Sequence, residues 1–251
     1  MVQNTLFGGF LFSMALFLQI ALGLNAMQTD FVYLPLSIPL LISSLTASKL
    51  SISIPPKRII QAGLLLLTVG LLLVNAVINV KVKGLPLIFG FVLIGVGGGL
   101  IASQIMNLVL SQVSPERTSE TAALMNTSQN LGMSLGTALM GSILLAGLAS
   151  GAITLIDESK VLPDSIKENL TVAVDENVRF LSNEQMENIL KNTPPDISQE
   201  IMRINEIARI DGIKRSLWGL IIVSLLGILA TFFLPPEILV SSQQKDKKGE
   251  D

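Results

Sequence analysis

The chain is a succession of long apolar runs joined by shorter polar connections. Six runs of about eighteen or more residues carry few or no charges, which is enough to cross a hydrocarbon core of about 30 Å as a helix. They cover residues 6–24, 31–50, 59–78, 85–110, 121–148 and 217–234. One such run is compatible with a buried core helix, whereas six in one chain predict an all-α membrane protein with six transmembrane helices.

The first apolar run has one alternative interpretation, a cleaved signal peptide. Signal peptides carry a basic region followed by an apolar region of roughly 7–15 residues. Here no basic residue precedes the run, and the run is longer than that range. We therefore interpret it as a transmembrane helix.

A long polar connection separates the fifth run from the last. This pattern predicts a five-span membrane bundle at 1–149, an extracytoplasmic polar loop at 150–213, the sixth transmembrane helix at 214–236 and a cytoplasmic charged tail at 237–251. The only region polar enough to be surrounded by water is therefore the connection before the last helix.

Isoleucines recur every three or four residues near the end of this connection, and such a stripe is typical of an amphipathic helix. They are Ile197, Ile201, Ile204, Ile207 and Ile210. Asp196 and Gln199 have the spacing of a capping box at its start. The helix is predicted to lie at the membrane surface, or against the outer ends of the spans, before turning inward as the sixth span. Packing on its own loop is an equally open alternative.

The composition limits the partners, catalytic groups and metal sites that the chain can have. Half of the residues are hydrophobic and 14% are charged, with a net charge of −2, so nucleic acid is not an expected partner. The sequence has no histidine and no cysteine, which removes the commonest catalytic base and the thiolate metal sites. Because no catalytic motif is present either, we predict no enzyme activity, no catalytic residue, no bound metal and no cofactor.

The basic residues of the short connections predict the orientation, since cytoplasmic loops carry an excess of Lys and Arg. With the N-terminus inside, seven basic residues face the cytoplasm and two face outward. The inner set is Lys49, Lys57, Arg58, Arg117, Lys245, Lys247 and Lys248, and the outer pair is Lys81 and Lys83. Lys214 and Arg215, at the outer side of the last span, oppose this orientation. We predict that both termini are cytoplasmic and that the charges of the inner loops, Lys57, Arg58, Glu116 and Arg117, hold the helix ends by pairing or by contact with lipid phosphate.

Uncharged amides supply most of the polarity inside the spans. An amide without a partner is costly in hydrocarbon, so each should face another helix or a water-filled cavity. Asn126, Gln129 and Asn130 stand at i, i+3 and i+4 and therefore share one helix face. With Gln19 and Asn107, they are the candidates for a substrate cavity. Hydrogen bonding between helices is the alternative role.

Glycines form a second pattern within the same runs. Gly132 and Gly136 make a GxxxG motif, and Gly97, Gly98 and Gly99 follow one another directly. Small residues at this spacing let helix backbones approach closely in a membrane. We predict that these five glycines serve helix packing.

Three segments together resemble a known family. "SPERTSETAALMNTSQNLGMSLGTALMGSIL" at 114–144 is similar to a segment of major facilitator transporters in the fourteen-span branch of drug:proton antiporters. "MQTDFVYLPLSIPLLISSLTASKLSISIPPKRIIQAG" at 27–63 and "GVGGGLIASQIMNLVLSQV" at 95–113 resemble the family's preceding spans. The matching positions are Leu34, Pro35, Lys57, Arg58, Gly63, Pro115, Glu116, Arg117, Asn126, Thr127, Gly132 and Gly136. Ser119 and Glu120 depart from the pattern, where glycine and an apolar residue are usual.

The resemblance implies one half of a transporter, namely the C-terminal six-helix bundle. Proton-coupled efflux of drug-like or amphiphilic molecules across the plasma membrane, by alternating access, is the implied activity. The implied partners are the lipid bilayer, a small amphiphilic substrate, protons and a second half-transporter. That half could be a separate chain, a missing N-terminal half or a second copy. A truncated or split membrane protein that transports nothing alone and acts as an interaction subunit is the alternative.

Overall fold

The computed structural model describes residues 1–51, 53–79, 84–110, 113–114, 117–176 and 180–233. The tail predicted at 237–251, together with Lys81, Lys83, Pro115 and Glu116, lies outside these residues. The described helices are α1 Val2–Leu16, which continues as a π-helical turn at Phe17–Ala21, then α2 Ala26–Leu50, α3 Pro56–Val77, α4 Gly84–Leu110, α5 Thr118–Glu158, α6 Asp164–Glu176, α7 Asn183–Ile189 and α8 Pro195–Thr231.

Six of these helices are long and apolar enough to cross a membrane: α1 with its π-helical turn, α2, α3, α4, α5 and α8. The prediction of an all-α bundle with six spans is confirmed. Local sequence signals fix several boundaries. Asn25 caps α2: its Oδ1 atom accepts a hydrogen bond from the Gln28 backbone N–H, and the Gln28 Oε1 atom accepts one from the Asn25 backbone N–H. α3 begins directly after Pro55, with Pro56 in its first turn, where proline costs no hydrogen bond.

The helix pairs follow an approximate internal symmetry. α1 packs along α5, and α2 packs along α4. Take α1–α3 as one unit and α4, α5 and α8 as a second unit. Helix α1 then corresponds to α4 and helix α2 to α5, so the α1–α5 pair corresponds to the α2–α4 pair. Nested repeats of three spans are an arrangement found in secondary transporters.

Glycines lie where these helices cross. A Cβ atom on Gly132 would lie 2.8 Å from the carbonyl oxygen of Met1, and one on Gly136 would overlap the backbone of Thr5. A Cβ atom on Gly99 would lie 3.0 Å from the backbone nitrogen of Ser44. The α1–α5 and α2–α4 crossings are therefore backbone-to-backbone contacts that a larger residue would push apart.

The remaining two glycines of the GGG run serve other neighbours. Gly97 faces the Gly63 carbonyl of α3, and Gly98 faces the ring of Phe7 on α1. The run thus places α4 against three helices, with one glycine toward each.

The apolar core lies between α1, α3, α4 and α8. Its largest buried side chains include Phe10, Phe17 and Phe91. Two buried hydroxyl pairs join α8 to its neighbours: Ser216 donates to Ser13 of α1 over 3.0 Å, and the Thr68 and Ser224 hydroxyls lie 2.8 Å apart. The pairs give Ser13 and Ser224 their partners, while Ser216 and Thr68 also bond to backbone carbonyls of their own helices.

α5 and α8 extend beyond the spans that hydropathy marks. α5 continues ten residues past 148 to Glu158, and α8 begins at Pro195, well before the predicted span. At 37 residues α8 is about 55 Å long, so its first half projects beyond a hydrocarbon core of about 30 Å. The projecting ends carry a second apolar cluster, which contains Leu148, Ala152, Ile156, Leu162, Leu190, Ile201, Ile204 and Ala208.

Ile201 and Ile204 of the isoleucine stripe pack both against the end of α5 and against the polar connection, which combines the two packing alternatives stated above. Ile210 belongs instead to the core between the spans, and Ile207 is exposed. The expected turn between an amphipathic helix and the sixth span is wrong, because one continuous helix contains both. No proline interrupts it between 196 and 231, and Gly212 lets it approach α5 closely, with a Cβ atom there only 2.7 Å from the Leu144 carbonyl oxygen. The expected capping box is also wrong: Asp196 lies inside the helix, after Pro194 and Pro195.

Candidate transport site

Large apolar side chains remain uncovered by the chain itself on several helices, and α2 is the least buried of the six spans. Only 17% of the apolar stretch of α2 is buried, against 56% for α3. Exposed side chains on α2 include Phe31, Leu34, Ile38, Leu41 and Leu45, and those on α5 include Leu124, Leu131, Leu135 and Leu139. A transmembrane helix with this exposure faces either lipid or another protein unit.

The three amides of α5 lie in its first third. Asn126 and Asn130 are exposed and Gln129 is half-buried. Within the part of the chain that the structure describes, none of the three side chains makes a hydrogen bond. Their donors and acceptors therefore remain available to another molecule.

The helix register gives the depth of each candidate. α1 and α5 run in the same direction, since Gly132 lies beside Met1 and Gly136 beside Thr5. Gln19 is exposed and stands eighteen residues beyond Met1, so it lies about 30 Å along the bundle from Asn130. The structure does not bring Gln19 together with the α5 amides.

Asn107 stands with the α5 amides instead. Gln3 of α1 donates a hydrogen bond to the Gly98 carbonyl over 3.1 Å, which sets α1 and α4 at one level. From there α4 continues toward the end of the bundle where α1 and α5 begin. Asn107 is about 13 Å further along, at the depth of Asn126, and it is half-buried. Four of the five candidate residues thus lie at one end of the bundle.

An aromatic cluster that the sequence did not reveal joins α1, α2 and α4. The Tyr33 hydroxyl donates to the Leu11 carbonyl over 3.1 Å, and its ring stacks on Phe91 with centroids 5.9 Å apart. Phe10 meets the same ring edge-on at 5.4 Å. A cavity of about 350 Å³ lies beside Phe91, lined also by Leu18, Phe31 and other apolar residues. The available signal was that Tyr33 is the only tyrosine of the chain.

A second cavity, of about 300 Å³, opens at the other end of the bundle between α1, α3, α4 and α8. It is lined mainly by aliphatic residues, among them Ile60, Leu64 and Ile105, with Gln3 and Thr231 as polar groups. Both cavities match apolar ligands better than ions. Within the described ranges, no cluster of three acidic side chains is close enough to hold a metal ion.

The basic residues of the predicted inner loops have different surroundings. Lys57 donates to the Phe232 carbonyl over 2.8 Å and so joins the start of α3 to the end of α8. Arg58 and Arg117 are exposed. Glu116 lies outside the described residues.

Arg209 of α8 is the largest fully buried side chain, and sequence reasoning did not single it out. Its guanidinium donates to the Ile20 carbonyl over 3.2 Å, to the Leu181 carbonyl over 3.0 Å and to Asn183. It thereby joins the π-helical turn after α1 to the polar connection and to α7. One signal could have revealed it: with Ile201 and Asn205 it continues an i, i+4, i+8 series on the buried face of α8.

Near the start of α8, Glu200 accepts hydrogen bonds from Arg203 and from the Ser159 hydroxyl. This stretch of α8 carries too many charges to lie in hydrocarbon. The hydrogen bonds from Arg203 and Ser159 lower the pKa of Glu200 to about 2. The carboxylate is therefore ionised at any physiological pH and fastens the start of α8 to the end of α5.

Comparison with known proteins identifies the family. The profile of the Major Facilitator Superfamily matches residues 2–156, which is more than half of the chain. The chain belongs to the Major Facilitator Superfamily. This is a family of membrane transporters rather than enzymes, and the predicted resemblance is confirmed.

Three relatives of this major facilitator protein are, by name, a probable antibiotic transporter, an antibiotic resistance protein and a multidrug efflux pump. It is 22% identical to the probable actinorhodin transporter of Streptomyces coelicolor over 89% of this chain and 43% of the relative. It is 31% identical to a puromycin resistance protein of Streptomyces alboniger over 56% of this chain and 28% of the relative. It is 26% identical to a multidrug efflux pump of Mycolicibacterium smegmatis over 55% and 27%, respectively. The chain matches less than half the length of each relative.

Proposed function

We propose that this chain is the C-terminal half of a proton-coupled efflux transporter for drug-like or amphiphilic molecules. One observation supports this most directly: a six-helix unit of the Major Facilitator Superfamily aligns with 43% of a transporter over 89% of its own length. The exposed apolar faces of α2 and α5 are the proposed contact surface for the second half. Substrate would bind between the two halves, as secondary transporters built from repeats do.

Asn126, Gln129 and Asn130, with Asn107 at the same depth, are proposed to line the substrate path near its inner mouth. Neutral amides can donate to and accept from an amphiphile without imposing a charge requirement. Gln19 is proposed at the opposite mouth, about 30 Å away. The glycines of the α1–α5 and α2–α4 crossings are proposed to hold these helices together during alternating access.

Proton coupling requires a group that changes its protonation state inside the membrane. Among the described residues, the carboxylates of the apolar helices lie at helix ends or in the charged first half of α8, such as Asp30, Glu120 and Asp157. A carboxylate near the bilayer centre would be the usual carrier. We therefore assign the proton carrier to the second half.

We place the protein in the plasma membrane with both termini in the cytoplasm. The excess of Lys and Arg in the inner connections supports this orientation. The unit formed by α6, α7 and the projecting ends of α5 and α8 would then lie outside the cell.

The limited coverage of the relatives favours a second candidate, a membrane subunit that transports nothing alone. Co-purification from the native membrane separates the possibilities. Recovery of a second six-span unit with drug efflux supports the half-transporter, whether that unit is another chain or another copy. Recovery of the chain from the native membrane with no second six-span unit, and without efflux, would contradict the half-transporter and leave the interaction subunit.

The α5 amides supply a test at the level of the site. In the active assembly, Asn126→Ala and Gln129→Ala should change the ratio of resistance to different drugs while expression stays constant. Ser142→Ala is the matched control, because Ser142 lies on the same helix and its hydroxyl bonds its own backbone at Ala138. Unchanged selectivity in both amide variants would show that these amides do not meet substrate.

A further inference from the structure

Two hydrogen bonds fix the register of the antiparallel helices α3 and α8. At one end Asn75 of α3 donates to the Lys214 carbonyl over 3.4 Å, and at the other Lys57 donates to the Phe232 carbonyl over 2.8 Å. The contacts are eighteen residues apart on each helix, from 57 to 75 and from 214 to 232, which is about 27 Å along the axis. This length is close to the hydrocarbon core of about 30 Å. Lys57 and Lys214 therefore lie at the two membrane surfaces, and Lys214 lies at the outer surface in the proposed orientation.

Lys214 and its neighbour Arg215 are the basic residues that oppose the predicted orientation. The Arg215 guanidinium lies 2.8 Å from an Asp211 carboxylate oxygen and donates to the Ser150 hydroxyl over 2.7 Å. Lys214 is half-buried, and within the described ranges its ammonium group makes no hydrogen bond and no ion pair. The adjoining helix α3 carries no acidic residue between 56 and 77. A cation at the membrane surface without a carboxylate partner is complementary to the phosphate of a lipid headgroup.

An exposed stripe on α8 continues from Lys214 into the membrane. Its members follow Lys214 by 4, 8, 11 and 15 residues and so share one helix face: Trp218, Ile222, Leu225 and Leu229. Trp218 is the only tryptophan of the chain, is 53% exposed and lies about 6 Å inward of Lys214. Tryptophan is enriched at this level of a bilayer, where its amphipathic ring meets the headgroups. The stripe therefore presents a cation, an indole and aliphatic side chains in the order of the phosphate, ester region and acyl chains of a phospholipid.

We infer that Lys214 and this stripe bind an acidic phospholipid, with its phosphate against the Lys214 ammonium group and its acyl chains along the stripe. A lipid with net negative charge is favoured because a choline headgroup carries its own cation beside the phosphate, whereas a glycerol headgroup does not. The bound lipid supplies the counter-charge that the protein does not give to Lys214. The site lies on α8, apart from the faces of α2 and α5 proposed to meet the second half, and it does not depend on whether the chain transports anything.

The single tryptophan permits a direct measurement, because all tryptophan fluorescence of the chain comes from this site. The full chain is reconstituted in vesicles of phosphatidylglycerol and phosphatidylcholine, and one lipid at a time carries brominated acyl chains that quench a neighbouring indole. The dependence of quenching on lipid composition gives the relative affinity at Trp218. Phosphatidylglycerol should bind about fivefold more tightly, the effect of one lysine near an acidic lipid. Bromine near the headgroup should quench more than bromine near the chain end.

Three variants test the role of Lys214. The preference for phosphatidylglycerol should disappear in Lys214→Gln and persist in Lys214→Arg, which keeps the charge. Arg203→Gln is the matched control, because it removes the same charge from the same helix about 16 Å further from the membrane, where Arg203 pairs with Glu200. The control should keep the full preference.

Three results would overturn the inference: no quenching by either brominated lipid, equal affinity for the two lipids in the parent chain, or a preference that persists in Lys214→Gln. The first would show that protein covers this face of α8, and the second that the face contacts lipid without selecting a headgroup. If Lys214→Gln does not reconstitute, Lys214→Met, which keeps an unbranched stem without the charge, answers the same question. Drug transport is not a readout of this experiment, so failure here leaves the proposed function standing.

Discussion

At the scale of the residue, the contribution of a polar side chain to stability depends on how deeply the surrounding apolar residues bury it. Arg209 and Arg203 belong to the same helix, six residues apart. Arg209 is 1% exposed and bonds three elements, whereas the Arg203 side chain is half-exposed and pairs only with Glu200 one turn away. Arg209 therefore joins the polar connection to the bundle, whereas Arg203 lies at the surface of α8 and bonds only within that helix.

Arg209→Leu should loosen the polar connection far more than Arg203→Leu. The first variant leaves the Ile20 and Leu181 carbonyls and the Asn183 amide without their donor, at about 1.5–3 kcal/mol for each hydrogen bond to a charged group. The second removes one pair in which the arginine side chain is half-exposed, and such a pair is worth about 1 kcal/mol or less. Trypsin digestion in nanodiscs should cleave at Lys160, Lys167 and Lys191 at least tenfold faster in Arg209→Leu. Equal rates for the two variants would contradict the role of Arg209.

At the scale of the element, hydropathy predicted every span because each apolar run is long enough to cross a bilayer. It did not predict the projecting ends of α5 and α8, since the polar residues there carry no membrane signal and a helix in water depends on tertiary packing. The second apolar cluster supplies that packing through Ile201 and Ile204 against Ala152 and Ile156. The stripe predicted a helix, but its continuity with the sixth span follows from contacts with α5 that a single sequence does not reveal.

The continuity of α8 can be measured as a distance. Cysteines at Arg203 and Ile222, both exposed, accept spin labels without competition because the chain has no other thiol. Their backbones should be about 28 Å apart if one straight helix contains both. A dipolar distance distribution centred near that value is expected, after allowance for the label arms. A principal distance near about 20 Å would indicate a right-angled turn between an amphipathic helix and the sixth span.

At the scale of the whole molecule, the predicted site was located only in part. Spacing alone placed Asn126, Gln129 and Asn130 on one face, and the structure gives that face no partner within the described chain. Spacing along the sequence does not give the depth of a residue in the bundle. The register between α1 and α5 places Gln19 at the opposite end from these amides. The sequence did not single out Asn205 and Tyr33, because their burial depends on helices that are distant in the sequence.

The central claim is that this six-helix unit transports only when a second six-helix unit covers the faces of α2 and α5. The most direct measurement is drug transport in proteoliposomes under an imposed proton gradient, comparing the purified monomeric chain with the assembly recovered from native membranes, each with its mass determined. The account predicts saturable, gradient-dependent transport by the assembly and none by the monomer. Transport of equal rate by the monomeric chain alone would contradict it.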